Sequence, residues 1–117
     1  MRFSDTHEWV LREGDTATIG ITNYAQKELG EVVFVQLPQV GQKVEANQEV
    51  VVVESTKAAS DICTPVSGTV IAVNEKVKED PSLLNVAPES EGWLCKIALS
   101  DASELDTLLD HQQYLKL

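Results

Sequence analysis

Basic residues are scarce in this chain. Nine Lys and Arg stand against nineteen Asp and Glu in 117 residues, a formal net charge of −10. That deficit argues against a protein that grips nucleic acid through a basic footprint, and against one drawn to an anionic membrane surface. Histidine occurs only as His7 and His111, at opposite ends of the chain, with no paired spacing and no neighbouring cysteine. A metal site is therefore not indicated. Cys63 and Cys95 form no C-x-x-C motif. They read as two reduced thiols, with one disulfide as the alternative. No apolar run approaches the roughly 20 residues of a membrane helix. The opening MRFSDTHEW has no basic segment leading into an apolar one. A reducing compartment, cytoplasmic or its equivalent, is the expectation.

Catalytic motifs are equally thin. The six glycines fall singly at turn-like places, with no dinucleotide fingerprint and no phosphate-binding loop. Ser55, Ser60 and Ser67 lack the G-x-S-x-G setting of a nucleophile. His7-Glu8 has the composition of an acid–base pair, but beside Trp9 a structural or partner-docking role is the default. Trp9 and Trp93 read as core aromatics. The chain is poorly equipped to be an enzyme.

What is present is a series of short strands. Trp9 to Arg12 and Thr16 to Ile21 flank the turn Glu13-Gly14-Asp15. Thr22 is placed to cap a short helix over 23–29, which Gly30 stops. Glu31 to Leu37 has no polar face, which predicts a strand buried on both sides. Further strands are expected at 49–54, 61–64 and 69–74, with a turn at Pro65 to Gly68, a helical turn at 81–84, and a late strand through Trp93, Cys95, Ile97 and Leu99. Leu105, Leu108 and Leu109 then fit one face of a C-terminal helix, with Ser100 as its cap and Asp101 and Glu104 at its positive end. With 43% hydrophobic residues and no linker, the expectation is one domain spanning 1–117: an all-β sandwich or small barrel with accessory helices.

One stretch stands apart. Residues 50–61 read VVVVESTKAASD: a valine strand that ends in Glu54-Ser55 and delivers Lys57 among small residues. A lysine with a pKa near about 10.4 is mostly protonated and a poor nucleophile unless desolvated. Nothing around Lys57 suggests a burial pocket, and strands on either side describe a hairpin tip. A lysine placed for reach suits covalent modification better than catalysis; the plain alternative is a solvated surface lysine.

The octet Glu54-Ser55-Thr56-Lys57-Ala58-Ala59-Ser60-Asp61 resembles the lipoylation hairpin of the glycine cleavage H-protein family, usually written ESVKAASD. The likeness continues through His7-Glu8-Trp9-Val10, Gly20-Ile21-Thr22, Leu29 to Val35, Pro65-Val66-Ser67-Gly68, Leu84-Asn85, Gly92-Trp93-Leu94 and Ser103-Glu104-Leu105. Biotin carriers hold Met-Lys-Met at the tip. The lipoyl domains of 2-oxoacid dehydrogenases usually hold Asp-Lys-Ala, and lack the HEW entry and the C-terminal helix. The resemblance implies a barrel-sandwich hybrid of the lipoyl/biotinyl type, no catalysis by the chain itself, and lipoate attached to Lys57.

It further implies Glu54 and Gly68 as positions read by the lipoylating enzyme, and Glu8, Glu28 and Asp61 as residues near the cleft that shelters the arm. Some relatives have histidine in place of Glu28, and Thr56 replaces the commoner valine. Cys63 falls where no functional group is expected. The implied partners are a pyridoxal-phosphate glycine decarboxylase, a tetrahydrofolate-dependent aminomethyltransferase, dihydrolipoyl dehydrogenase, and a lipoate ligase or octanoyltransferase. A carrier visiting several enzymes is expected to be a monomer, in the cytoplasm or in an organelle matrix. Two other readings accompany this one: an H-like lipoyl donor or redox carrier outside glycine cleavage, and a binding module with no cofactor.

Overall fold

The computed structural model describes residues 1–117, all of them in or between short elements. The strands are β1 (Arg2–Phe3), β2 (Glu8–Glu13), β3 (Thr16–Ile21), β4 (Val32–Gln36), β5 (Lys43–Val44), β6 (Glu49–Ser55), β7 (Ala59–Cys63), β8 (Gly68–Val73) and β9 (Cys95–Leu99). The α-helices are α1 (Asn23–Leu29), α2 (Glu75–Glu79), α3 (Leu83–Val86) and α4 (His111–Leu115), with a 3₁₀ helix at Ala102–Thr107. One sheet runs β1-β2-β3-β9-β8-β5 and the other β4-β6-β7. Every pairing is antiparallel. The expected mainly-β sandwich is what the chain forms.

The sandwich follows from alternation. Ala17, Ile19 and Ile21 point to one face of β3, and Val51 and Val53 to one face of β6; all five are buried. Val10, Ile19, Val70 and Ile97 belong to one packed cluster, and Ile21, Val35, Val53, Ile62 and Leu94 to a second. Val50 packs against both, joining the two. The β2–β3 connection is a two-residue turn in which Gly14 alone has positive φ (+62°), as a type II′ turn needs. Thr22 caps α1 as anticipated, its hydroxyl accepting from the Ala25 N–H at 3.3 Å.

Two expectations are corrected. The 31–37 strand is not buried on both sides: Val33 and Phe34 are 53% and 46% exposed. The ladder with β6 shifts between Val32 and Phe34, and this bulge turns two successive side chains outward while Val32 and Val35 stay in the core. At the C-terminus there is no single helix carrying Leu105, Leu108 and Leu109. Asp101, not Ser100, caps the 3₁₀ turn. Leu108 is extended, and Leu109 exchanges two 2.8 Å backbone hydrogen bonds with Phe3 before α4 begins behind an Asp110 capping box. Pairing with β1 needs extended backbone, and that bridge overrides the helical period. Glu104, expected at a helix end, instead receives the Ser67 N–H at 2.7 Å and its hydroxyl at 2.8 Å.

On the outer face of β2–β3, the Trp9 indole lies across its ladder partner Gly20 and donates to the Pro88 carbonyl at 2.9 Å. A Cβ at Gly20 would stand 2.5 Å from the indole. Gly20→Ala is therefore expected to lower stability by about 1–3 kcal/mol through overpacking, read as a lower urea midpoint with an unchanged slope.

Candidate functional site

The β6–β7 hairpin places Lys57 at its tip, as its sequence setting suggests. Ser55 builds the turn: its N–H and its hydroxyl both donate to the Ala58 carbonyl, at 2.8 and 3.1 Å. Its oxygen also accepts from the Lys57 and Ala58 N–H groups at 3.2 and 3.1 Å. Glu54, Thr56, Lys57, Ala58 and Ala59 are all exposed. The tip is tied back to the body by the Thr56 N–H, which donates to the Glu31 carbonyl at 3.0 Å.

The lysine stem does not project freely. It lies over Gly30, where an added Cβ would come within 2.7 Å of Lys57 Cε. Gly30 holds φ +81° and ψ −155°, a region open essentially to glycine. Asn85 on α3 fixes the segment. Its amide donates to the Gly30 carbonyl (2.7 Å) and the Gln26 side chain (3.0 Å), and its oxygen accepts from the Val32 N–H (2.9 Å). The sequence marks Gly30 only as a helix stop and Asn85 only as part of a family pattern. The hydrogen bonds of Asn85 span 53–59 positions, and Gly30 meets Lys57 from another element, which no local signal reveals.

Glu8 is the most deeply placed charged side chain, only 4% exposed. Ser4 and Thr6 hydroxyls donate to one of its carboxylate oxygens at 2.9 and 2.6 Å. Burial pushes its pKa above the usual carboxylate range, more than those two bonds pull it down. Cys63 is half-buried at the end of β7; burial first, then the negative charges of Glu8, Glu49 and Asp61, raise its thiol pKa. Asp61 lies two residues before Cys63 on β7, about 7 Å from Ala59 at the strand rise. Cys63 is the ladder partner of Glu49. Glu28 stands elsewhere, on the exposed side of α1 two residues before Gly30. Cys95 is sealed in the core, its pKa pushed up to about 12 by burial, and both cysteines are free thiols.

Gly68 is remote from the tip by sheet position. It opens β8 between Val44 and Leu99, where any Cβ would overlap the Ala98 carbonyl and meet Ile97 Cγ2 at 2.7 Å. His7-Glu8 is not an acid–base pair: His7 Nδ1 hydrogen-bonds the Tyr114 hydroxyl at 2.7 Å, and Tyr114 also reaches Thr22 at 2.7 Å. The stack of Tyr114 on Phe3 at 4.7 Å completes a staple holding α4 to the entry strand.

A carboxyl whose pKa is raised by folding favours the folded state while protonated and loses that advantage as pH rises through the folded-state value. Glu8→Gln, which keeps an acceptor for Ser4 and Thr6, is expected to flatten this. Urea midpoints between pH 4 and 8 should show the variant gaining on the parent as pH rises.

The model of the family described as glycine cleavage H-protein matches residues 1–117. A glycine cleavage system H protein of Thermotoga maritima is 50% identical over 113 residues, covering 97% of this chain and 91% of that protein. One from Parvibaculum lavamentivorans is 53% identical over 114 residues, with the same coverage. The mitochondrial H protein of rice is 51% identical over 116 residues, 99% of this chain and 71% of that protein. The crystal structure of a glycine cleavage system H protein from Mycobacterium marinum superposes with a TM-score of 0.88 at 35% identity, covering 97% of this chain and 92% of that one. An ESTKAASD hairpin, a mainly-β sandwich around it and these end-to-end matches agree: the chain belongs to the glycine cleavage H-protein family.

Proposed function

We propose that the chain, 1–117, is one non-catalytic unit that carries lipoate on Lys57 and moves the aminomethyl group of glycine between the enzymes of glycine cleavage. The observation that supports it most is the placement of Lys57, alone at the tip of a hairpin tied to the body by Thr56 and Glu31. An exposed amine with small neighbours suits an acyl group delivered by another enzyme. The neutral Nζ attacks the carbonyl carbon of an activated acyl donor, the leaving group departs with the electrons of its bond to that carbon, and the nitrogen sheds a proton as the amide forms. One positive charge is lost, taking the formal net from −10 to −11.

When bound, lipoate supplies a dithiolane, a two-electron sulfur couple able to hold a one-carbon amine, which no side chain of this chain offers. The residues then have distinct tasks. Gly30, lacking a Cβ, gives the lysine stem a bed, and Asn85 holds that bed against the hairpin. Glu8 and Asp61 offer carboxylates suited to an ammonium group, Glu8 with two hydroxyls orienting it. Glu54, exposed three residues before the lysine, suits recognition by the lipoylating enzyme. Gly68 serves such recognition only indirectly, by letting β8 approach β9. Glu28 is exposed on α1, two residues before Gly30.

The partners under this reading are the pyridoxal-phosphate decarboxylase, the tetrahydrofolate-dependent aminomethyltransferase, dihydrolipoyl dehydrogenase and a lipoate ligase or octanoyltransferase. The chain serves them as a monomer, in the cytoplasm or an organelle matrix. No helix is long and apolar enough to cross a membrane. Intact mass spectrometry after incubation with lipoate ligase, lipoate and ATP should show the parent gaining one lipoyl amide and Lys57→Ala gaining none. The lipoylated parent should then support glycine–bicarbonate exchange by a glycine decarboxylase. A lipoyl mass on Lys57→Ala would move the site elsewhere; full lipoylation without exchange would remove the glycine-cleavage role.

A further inference from the structure

An enzyme that acts on the dithiolane has the cofactor itself to recognise. An enzyme that acylates the bare lysine has only the protein surface, and must choose Lys57 over Lys27, Lys43, Lys76, Lys78, Lys96 and Lys116. Something near the hairpin has to distinguish it.

The three-stranded sheet ends in β4 on one side and β7 on the other. The two edges differ. β7 is blunted by exposed Asp61 and polar Ser60, and β5, at the edge of the other sheet, is two residues long and carries Lys43. Charged, short or polar edges resist pairing with another chain. β4 is five residues long and carries no charge, and although α2 packs beside it, no strand other than β6 pairs with it. Its ladder is with β6 alone, and no backbone hydrogen bond from outside that ladder reaches residues 33–37. The bulge adds two exposed apolar side chains, Val33 and Phe34, at that edge. A groove of about 650 Å³ continues from Phe34 along Leu37, Pro38 and Val40 toward α2.

This edge is continuous with the tip. Phe34 pairs with Glu54 and Val32 with Ser55, so β4 lies directly beside the strand that delivers Lys57. A strand added to β4 would sit about 10 Å from β6, two interstrand spacings away. Exposed Glu28, Glu31 and Glu54 surround the apolar pair with negative charge.

We propose that the open edge of β4, with Val33 and Phe34 as apolar anchors, is the docking surface for the enzyme that acylates Lys57. The occupant is an extended segment of that enzyme, carrying apolar side chains for the Val33–Phe34 pair and Lys or Arg for the glutamate rim. Main-chain hydrogen bonds to β4 supply affinity and register, and the side chains supply selection, as in other cases of strand addition. This rests on the lipoylation reading above and deepens it.

The test is steady-state acylation of the full chain by a lipoate ligase with lipoate and ATP, followed by intact mass. Phe34→Asp and Val33→Asp replace exposed side chains, and near-UV circular dichroism verifies their fold. Each should raise KM for the carrier about 10-fold or more with kcat within twofold. Phe34→Leu should restore the parent KM, and Ile71→Asp, an exposed apolar site on the other sheet, should leave both constants near the parent. Amide exchange at 33–36 should slow when Lys57→Met is bound to the ligase. An unmodified parent overturns the lipoylation reading itself. An acylated parent with unchanged variants, an equal loss in Ile71→Asp, a fall in kcat alone, or unprotected amides at 33–36 overturns the docking surface.

Discussion

The register of β6 is the constraint on which the site depends. Val51 and Val53 are buried in the second core cluster, so Val52 and Glu54 must point the other way. A slip of one residue would put both core valines into solvent and Glu54 into the core, a change the sheet cannot accommodate. Once that alternation is set, Ser55 falls where it closes the turn and Lys57 where the chain reverses. A lysine at a flexible loop would have the same reach, but no fixed direction. Here the direction is built from a strand in the middle of its sheet.

The body of the protein supports that hairpin through contacts that are individually modest. The Thr56–Glu31 bond and the three bonds of Asn85 join the tip, the end of α1 and the start of β4. A half-buried amide that satisfies three partners is costly to disturb, because the groups it leaves unpaired lose a hydrogen bond in a place that water reaches poorly. Further from the tip, the staple of Tyr114 to His7 and Thr22, with the Leu109–Phe3 bridge, draws the C-terminal segment onto the first strand. Both ends of the chain are thereby engaged with the sandwich, and the entry segment that carries Glu8 is held in place.

Much of this was legible in advance, for identifiable reasons. The β2–β3 turn, the Thr22 cap and the hairpin around Lys57 arise from residues within a few positions of one another, and their chemistry is local. The strand at 31–37 misled because composition cannot show a bulge; Val33 and Phe34 look like core residues until the ladder with β6 is known. The C-terminal leucines misled for a related reason, their helical spacing yielding to a backbone bridge with Phe3, more than a hundred residues away. The charges of Glu8 and Glu49 act on Cys63 from other strands, which spacing along the chain does not show.

What the residues by themselves determined is therefore the hairpin tip: alternation, a serine-closed turn and one lysine among small side chains place Lys57 there with no reference to the rest of the chain. What only the tertiary structure decided is its surroundings. Gly30 beneath the stem, Asn85 behind Gly30, Glu49 paired with Cys63 and the unpaired edge of β4 all depend on which strands become neighbours. Periodicity and capping act over a few residues, whereas these contacts exist only after hydrophobic burial has folded the two sheets together.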